Sequence, residues 1–410
     1  MRVRCNLMTV LFWTVSGLFI LSISQYAKAA EWAARPSFRS GLEYNDNPQL
    51  TTQPHDSVHG YTISPHLDLS VTSEIWQVLG SMEASRKRYP GNGNLDRDDQ
   101  FYNLTTSYRT ERSTWQLAGS RSESSTISEE QITPNTGVVS VPIKYDSHSI
   151  SPSWDWAMSE LTQLQLIYSL ADVSYVNGQS TGLFDYSTRT ISAQLTNHVD
   201  MKDQVFFSAG YSIFDVPSTG FESKSAIYQA GITRNFSESM HGTLSAGARK
   251  TSDDQNIVVC TVYLGPDCQQ TGQAKQTSDH TSSVFSASLE KRYETVRLDL
   301  NASRAFNPSG SGVEVLSDSQ TLILSKSFTA RLRGDLTANN YNYSPQPNDV
   351  PGVKRHYYSV ATGISWAWTR ELNANCRYQY SHLKRDTDNE AVTSNAVYLT
   401  LGYRWPKMVF

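Results

Sequence analysis

Charge is scarce in this chain. Lys, Arg, Asp and Glu make 18% of its 410 residues, against about a quarter in an ordinary soluble domain. Cysteine is scarcer, with four residues at positions 5, 260, 268 and 376. That is too few for a disulfide-built scaffold, and no further ligands cluster around them to make a metal site. After the first two dozen residues there is no long apolar run, which excludes a helical membrane span downstream. A 3.6-residue hydrophobic period is hard to find anywhere, which argues against a helical protein. There is no GxSxG, no HExxH and no phosphate-binding glycine loop, and the histidines are scattered. Ser381 and His382 are adjacent and point to opposite faces of any strand, so they cannot act together. The chain reads as a non-enzyme that needs no cofactor and no metal.

What is present begins with a leader. Arg2 and Arg4 precede the mostly apolar stretch Leu7 to Ile23, and Ala27-Lys28-Ala29 supplies small residues where a signal peptidase cuts. Residues 1–29 are expected to be removed, leaving 30–410 as one domain; an uncleaved membrane anchor is the alternative. Cys5 leaves with the leader. So do Arg2, Arg4 and Lys28, leaving 32 basic against 39 acidic residues and a net charge of −7. That mild acidity argues against nucleic acid as a partner.

The remainder is a long series of segments with period two. Leu164, Leu166, Tyr168 and Leu170 share one face of a strand, as do Val296, Leu298, Leu300 and Ala302, and Leu372, Ala374, Tyr378 and Tyr380. The opposite faces are polar: Ser147, Ser149, Ser151 and Ser153 in one segment, Thr188, Thr190, Ser192 and Gln194 in another. About eighteen such segments can be counted, with sixteen as the alternative, both even numbers suited to a membrane barrel.

Three features separate a barrel from a soluble sandwich. Connections alternate long and short: Asp46 to His59 is long and Thr72 to Glu74 short; Glu123 to Pro142 is long and Met158 to Leu161 short. One end of the sheet therefore carries loops and the other tight turns. Trp76, Trp115, Trp156, Trp368 and Trp405 fall at the short-turn ends, where indole sits between hydrocarbon and water. Many segments run about ten residues, the length of a tilted membrane-crossing strand. The expected fold is all-β: a transmembrane antiparallel up-and-down β-barrel in the cell outer membrane, with lipid outside and a polar, water-filled lumen.

Ala396 to Phe410 alternates Val397, Leu399, Leu401, Tyr403 and Trp405 with smaller or polar residues and ends on an aromatic residue. It resembles the closing strand of bacterial outer-membrane barrels, which the barrel-insertion machinery reads as its signal. Pro406 and Lys407 break the alternation, so the last residues are expected to form a short tail. A second resemblance lies in Gly41 to Asn47, GLEYNDN. A first strand closing on an aromatic-Asx-Asp-Asn run is similar to the β-barrel porin 2 family, large outer-membrane barrels found with exopolysaccharide genes. The bulky pair usual after the Asn is here Pro48-Gln49. The family would imply export of polysaccharide or oligosaccharide through the outer membrane with a periplasmic export partner. A polar strand end entering a loop is the alternative reading of the same run. For the chain as a whole, a non-transporting surface barrel (adhesin or scaffold) and an outer-membrane lipid-modifying enzyme remain as other readings.

Lumen-facing candidates follow from parity. Arg297, Asp299, Arg331, Arg333 and Asp335 form a charged set that could focus a transverse field or simply brace the wall, and Tyr341, Tyr357 and Tyr398 offer rings for stacking on sugars or act as filler. Cys260 and Cys268 have a spacing that allows a small disulfide loop within Thr251 to His280, the longest connection and the candidate plug or lid.

Overall fold

A computed structural model describes residues 30–52, 55–126, 142–264, 267–346, 354–385 and 391–410, without the side chains of 257–273 and 345–346. The leader expected over 1–29 lies outside these residues. The strands are β1 (Glu31–Asn45), β2 (Val58–Thr72), β3 (Trp76–Arg88), β4 (Arg97–Arg109), β5 (Ser113–Ser125) and β6 (Lys144–Ala157). Then come β7 (Thr162–Tyr175), β8 (Tyr186–His198), β9 (Asp203–Val216), β10 (Phe221–Ser237), β11 (Met240–Leu264) and β12 (Asp267–Arg292). The last are β13 (Val296–Pro308), β14 (Glu314–Ser327), β15 (Leu332–Gln346), β16 (Arg355–Ala367), β17 (Leu372–Arg385), β18 (Ala391–Arg404) and the two-residue β19 (Met408–Val409).

Each strand pairs antiparallel with the next, and β18 pairs back onto β1 from Ser37↔Arg404 to Asn45↔Ala396. The result is a closed up-and-down barrel of eighteen wall strands. Closure removes the sheet edges that hydrocarbon would leave without hydrogen-bond partners. No helix among the described residues is long and apolar enough to cross a membrane; the strands do so.

Period two sorts the side chains. Leu42, Ile191, Phe207, Leu244, Ile364 and Leu399 are exposed on the outside. In water such a surface would be an aggregation hazard; against acyl chains it is the favourable one. Tryptophans cluster at the short-turn end. Trp115, Trp154 and Trp156 stack in series at 5.3 and 5.7 Å, and Trp366 meets Trp368 edge-on at 5.3 Å.

The short turns repeat one device. A Ser, Thr or Asp accepts a hydrogen bond from the backbone N–H three residues on: Ser113 N to Thr110 Oγ1, Thr162 N to Ser159 Oγ, Asp203 N to Asp200 Oδ1, Leu332 N to Thr329 Oγ1 and Leu372 N to Thr369 Oγ1. These residue types close tight turns because their own oxygens replace a backbone acceptor.

Two expectations change. Residues 251–264 and 267–280 are not an irregular loop. They belong to the β11–β12 hairpin, whose pairing runs from Met240↔Lys291 to Leu264↔Asp267. Pairing of β10 with β11 ends at Glu222↔Asp254, and β12 meets β13 only up to Phe285↔Arg304. Beyond those rungs the hairpin continues as a two-stranded ribbon for about 30 Å at the usual rise per residue. Cys260 is opposite Thr271 and Cys268 opposite Tyr263 in the register; their side chains lie outside the described set. The C-terminal tail, in turn, is zipped to the wall. After the break at Pro406-Lys407, β19 pairs Met408 with Ala34 and Val409 with Ala33, continuing the β18 edge along β1.

Candidate channel lumen

Inward side chains form cross-strand polar pairs around the wall. Ser64 donates to Ser85 at 3.0 Å; Ser120 meets Ser149 at 2.7 Å, Thr190 meets Ser212 at 2.9 Å, Ser245 meets Ser286 at 2.8 Å and Ser303 meets Ser319 at 2.7 Å. Amides continue the lining: Thr321 donates to Asn339, which donates to Ser359, and Asn375 donates to Ser365. Short hydroxyls suit this role because both partners of a directly opposed pair lie within hydrogen-bond reach.

The charged candidates divide into two groups. On β11–β13, Arg297 pairs with Asp299 at 2.9 Å and with Glu290 at 3.4 Å, while Glu290 also holds Arg292 and His241. On β15, Arg333 and Asp335 carry no ion pair among the described residues, and the Asp335 carboxylate lies over Gly363, where a Cβ would come within 2.9 Å of it. Arg331 is not on the wall: it is exposed in the turn before β15. A further charged wall went unmarked in the sequence. Arg39 binds Glu83 at 2.7 Å, His66 has one ring nitrogen on Glu83 and the other on Asp68, and Glu43 receives Lys87 and the Tyr89 hydroxyl. Alternation places each of these inward, but single charges on β1–β3 give no hint of partners dozens of residues away.

Toward the loop end, apolar clusters fill part of the lumen. Tyr341 and Tyr357 stack at 5.9 Å and pack with Tyr343, Val315, Leu383, Val392 and Leu50. Both rings are buried among these neighbours. Tyr398 is inward on β18 opposite Glu43. Leu50 comes from the β1–β2 connection, is 2% exposed and has φ +50°. That backbone is held by Asn47: its Oδ1 accepts from Thr51 N, its Nδ2 donates to the carbonyls of Thr51 and Thr393, and its own carbonyl accepts from Leu50 N. Asn45 Oδ1 accepts from Asn47 N and Ser394 Oγ, and the Asp46 carboxylate accepts from both the backbone N and Nδ2 of Asn395. The run Asn45-Asp46-Asn47 is therefore a clasp that fastens the first connection to the last strand.

A second structure crosses the mouth. Glu314, the first residue of β14, reaches across to β11 and β10, where Arg249 Nη2 donates to both its oxygens at 2.5 and 2.6 Å and Ser223 Oγ donates at 3.0 Å. The guanidinium also lies 4.4 Å from the Phe306 ring centre. Ahead of Glu314, residues 309–313 continue to the β7–β8 connection, where Phe184 N donates to Gly310 O at 2.8 Å. Strands β7–β8 and β13–β14 are six positions apart in the wall, so this contact is made over the lumen. Gly310 permits it: a Cβ there would lie 2.3 Å from the Tyr175 hydroxyl. Alternation marks Arg249 as inward, yet nothing local shows that its partner is Glu314.

No protein-family model matches the chain, and no curated protein matches it. Among solved structures it is similar to Pseudomonas aeruginosa OccK9 (OpdG), at 9% identity over 92% of this chain and 98% of that one with a TM-score of 0.48. It is also similar to Pseudomonas aeruginosa OccK2 (OpdF) in complex with glucuronate, at 10% identity over 91% and 97% with a TM-score of 0.47. Acinetobacter baumannii OccAB2 gives 10%, 91%, 98% and 0.47. At such identities no residue role passes from those proteins to this chain. The closed wall, lipid-facing exterior, one-sided tryptophan girdle and one-sided loops define an outer-membrane β-barrel of porin-like build.

Proposed function

We propose that the barrel is a channel for short, hydroxyl-rich solutes, oligosaccharides first among them. The observation that carries this reading is the lining of opposed hydroxyls and amides. A sugar hydroxyl can replace a cross-strand partner or a bridging water with little net loss, because one hydrogen bond is exchanged for another. In this reading the Arg297–Asp299 and Arg333/Asp335 sets and the Arg39–Glu83 wall impose a transverse field on the path. The crossing from Glu314 to Phe184 favours short pieces over a continuous polymer. The likeness of GLEYNDN to the β-barrel porin 2 family supports a place in the outward traffic of glycans. A periplasmic partner would then deliver the glycan at the turn end, and passage of a longer chain would need the crossing to lift.

The test is swelling of protein-loaded vesicles in neutral sugars of increasing size. Swelling that slows from mono- to tetrasaccharide supports the channel. Vesicles that do not swell in any sugar would mean a sealed barrel whose loops carry the function.

A further inference from the structure

The outer wall over β12–β16 bears a groove of about 530 Å³. It exists because Ala287, Ala302 and Ala338 stand where neighbouring strands carry larger side chains. Two rows in register cross it, and a third continues the wall on its loop side. The lowest is apolar: Leu300, Leu322, Ala338 and Val360 are successive partners across β13–β16. The next holds Ala302, Gln320, Asn340 and Tyr358, and Asn340 Nδ2 donates to Gln320 Oε1 at 3.3 Å. The third, nearer the loop end, holds Arg304, Asp318, Asn342 and His356. Arg304 Nε and Nη2 donate to the two Asp318 oxygens at 2.5 and 2.8 Å, which leaves Nη1 of the fork for another acceptor.

Polar groups arrive early on this side. On β9 the outward positions are Val205, Phe207, Ala209, Tyr211 and Ile213 before the first charge at Asp215; on β14, only Leu324 and Leu322 separate Lys326 from Gln320. Amides and ions facing acyl chains are costly unless something satisfies them.

We propose that this groove is a binding site for a phosphorylated glycolipid of the outer leaflet. One acyl chain lies against the alanines, the amide row takes sugar hydroxyls, and Arg304 takes a phosphate oxygen. The sequence of chemistries along the wall, apolar then amide then ionic, matches an amphiphile standing with its head toward the loop end. A guanidinium already oriented by a carboxylate keeps its planar fork in place for a second oxyanion. A second copy of the chain is the competing occupant.

The experiment incorporates the purified full-length barrel into phosphatidylcholine vesicles doped with a bis-phosphorylated, multiply acylated glycolipid, re-extracts it in mild detergent and counts retained glycolipid by native mass spectrometry. Ala302→Leu with Ala338→Leu fills the groove. Arg304→Gln with Asp318→Asn removes charge and keeps shape. Ala209→Leu, outward on β9, is the control, and resistance to unfolding in cold detergent verifies that each variant is folded. Retention is expected to fall roughly threefold or more in the filled variant and to be unchanged in the control. The charge variant is expected to lose its preference for the phosphorylated over the dephosphorylated glycolipid, a readout that survives even if the filled variant misfolds. Equal retention in wild type and filled variant, or equal loss in the control, overturns the proposal. So does a filled variant that turns an oligomer into monomers with its glycolipid unchanged, which would make the groove an interface between copies.

Discussion

At the scale of single residues, long-range side-chain pairs shape the mouth of this barrel. Asn47 brackets a buried Leu50 whose backbone is in the left-handed region, a conformation that costs about 1 kcal/mol or more and persists only when its surroundings hold it. Asn47→Ala removes the bracket and is expected to lower stability by about 1–3 kcal/mol, the range for leaving buried backbone groups unpaired. The shift should appear as a lower urea midpoint of unfolding in lipid vesicles with an unchanged slope. Arg249→Ala strands the Glu314 carboxylate in a buried setting, and breaking such a pair from one side costs about 3–5 kcal/mol. The crossing is the local structure able to give way, so this variant is expected to show larger single-channel conductance than wild type. A variant whose stability falls while its conductance holds would mean that the pair braces the wall and does not shape the pore.

At the scale of elements, the alternating pattern made the wall legible in the sequence, and the turns came with it. Strand existence and the faces of the wall side chains follow from period two, with Arg331 in its turn as the exception, and the tryptophan girdle follows from the alternation of long and short connections. What period two cannot show is where pairing stops. The stretch from Thr251 to His280 reads as the longest connection in the sequence, yet β11 and β12 keep pairing there after β10 and β13 have ended. Alternation reports which face a side chain takes and not how long a neighbouring strand stays paired, so the ribbon left no distinct signal. Removing residues 257–272 and closing the hairpin lower down is expected to leave the barrel folded, as read by mobility in cold detergent gels. The C-terminal residues carry the opposite expectation. β19 supplies the last rungs along Ala33 and Ala34, and Phe410 N donates to Trp32 O at 2.9 Å. Deleting Met408 to Phe410 bares that edge of β1 and should slow barrel formation, measured as the rate at which the folded band appears on refolding into vesicles.

At the scale of the whole molecule, eighteen strands enclose a lumen that charges and hydroxyls line, and loops narrow it from one end. The lumen's polar character was readable from the inward faces of the strands. The narrowing was not, because the contact from Gly310 to Phe184 and the pair of Arg249 with Glu314 join segments 126 and 65 residues apart and leave no trace in local pattern. Nor did spacing reveal that Tyr341 and Tyr357 face each other: it placed them inward, and only the register of β15 with β16 sets ring against ring. The central claim is that this enclosed space conducts. Ion current through the purified, refolded protein in planar bilayers tests it most directly, with added oligosaccharide as the probe of occupancy. Steady channels whose current falls on adding a short oligosaccharide, and rises in Arg249→Ala, are the predicted result. An electrically silent protein, in wild type and in Arg249→Ala alike, would contradict it.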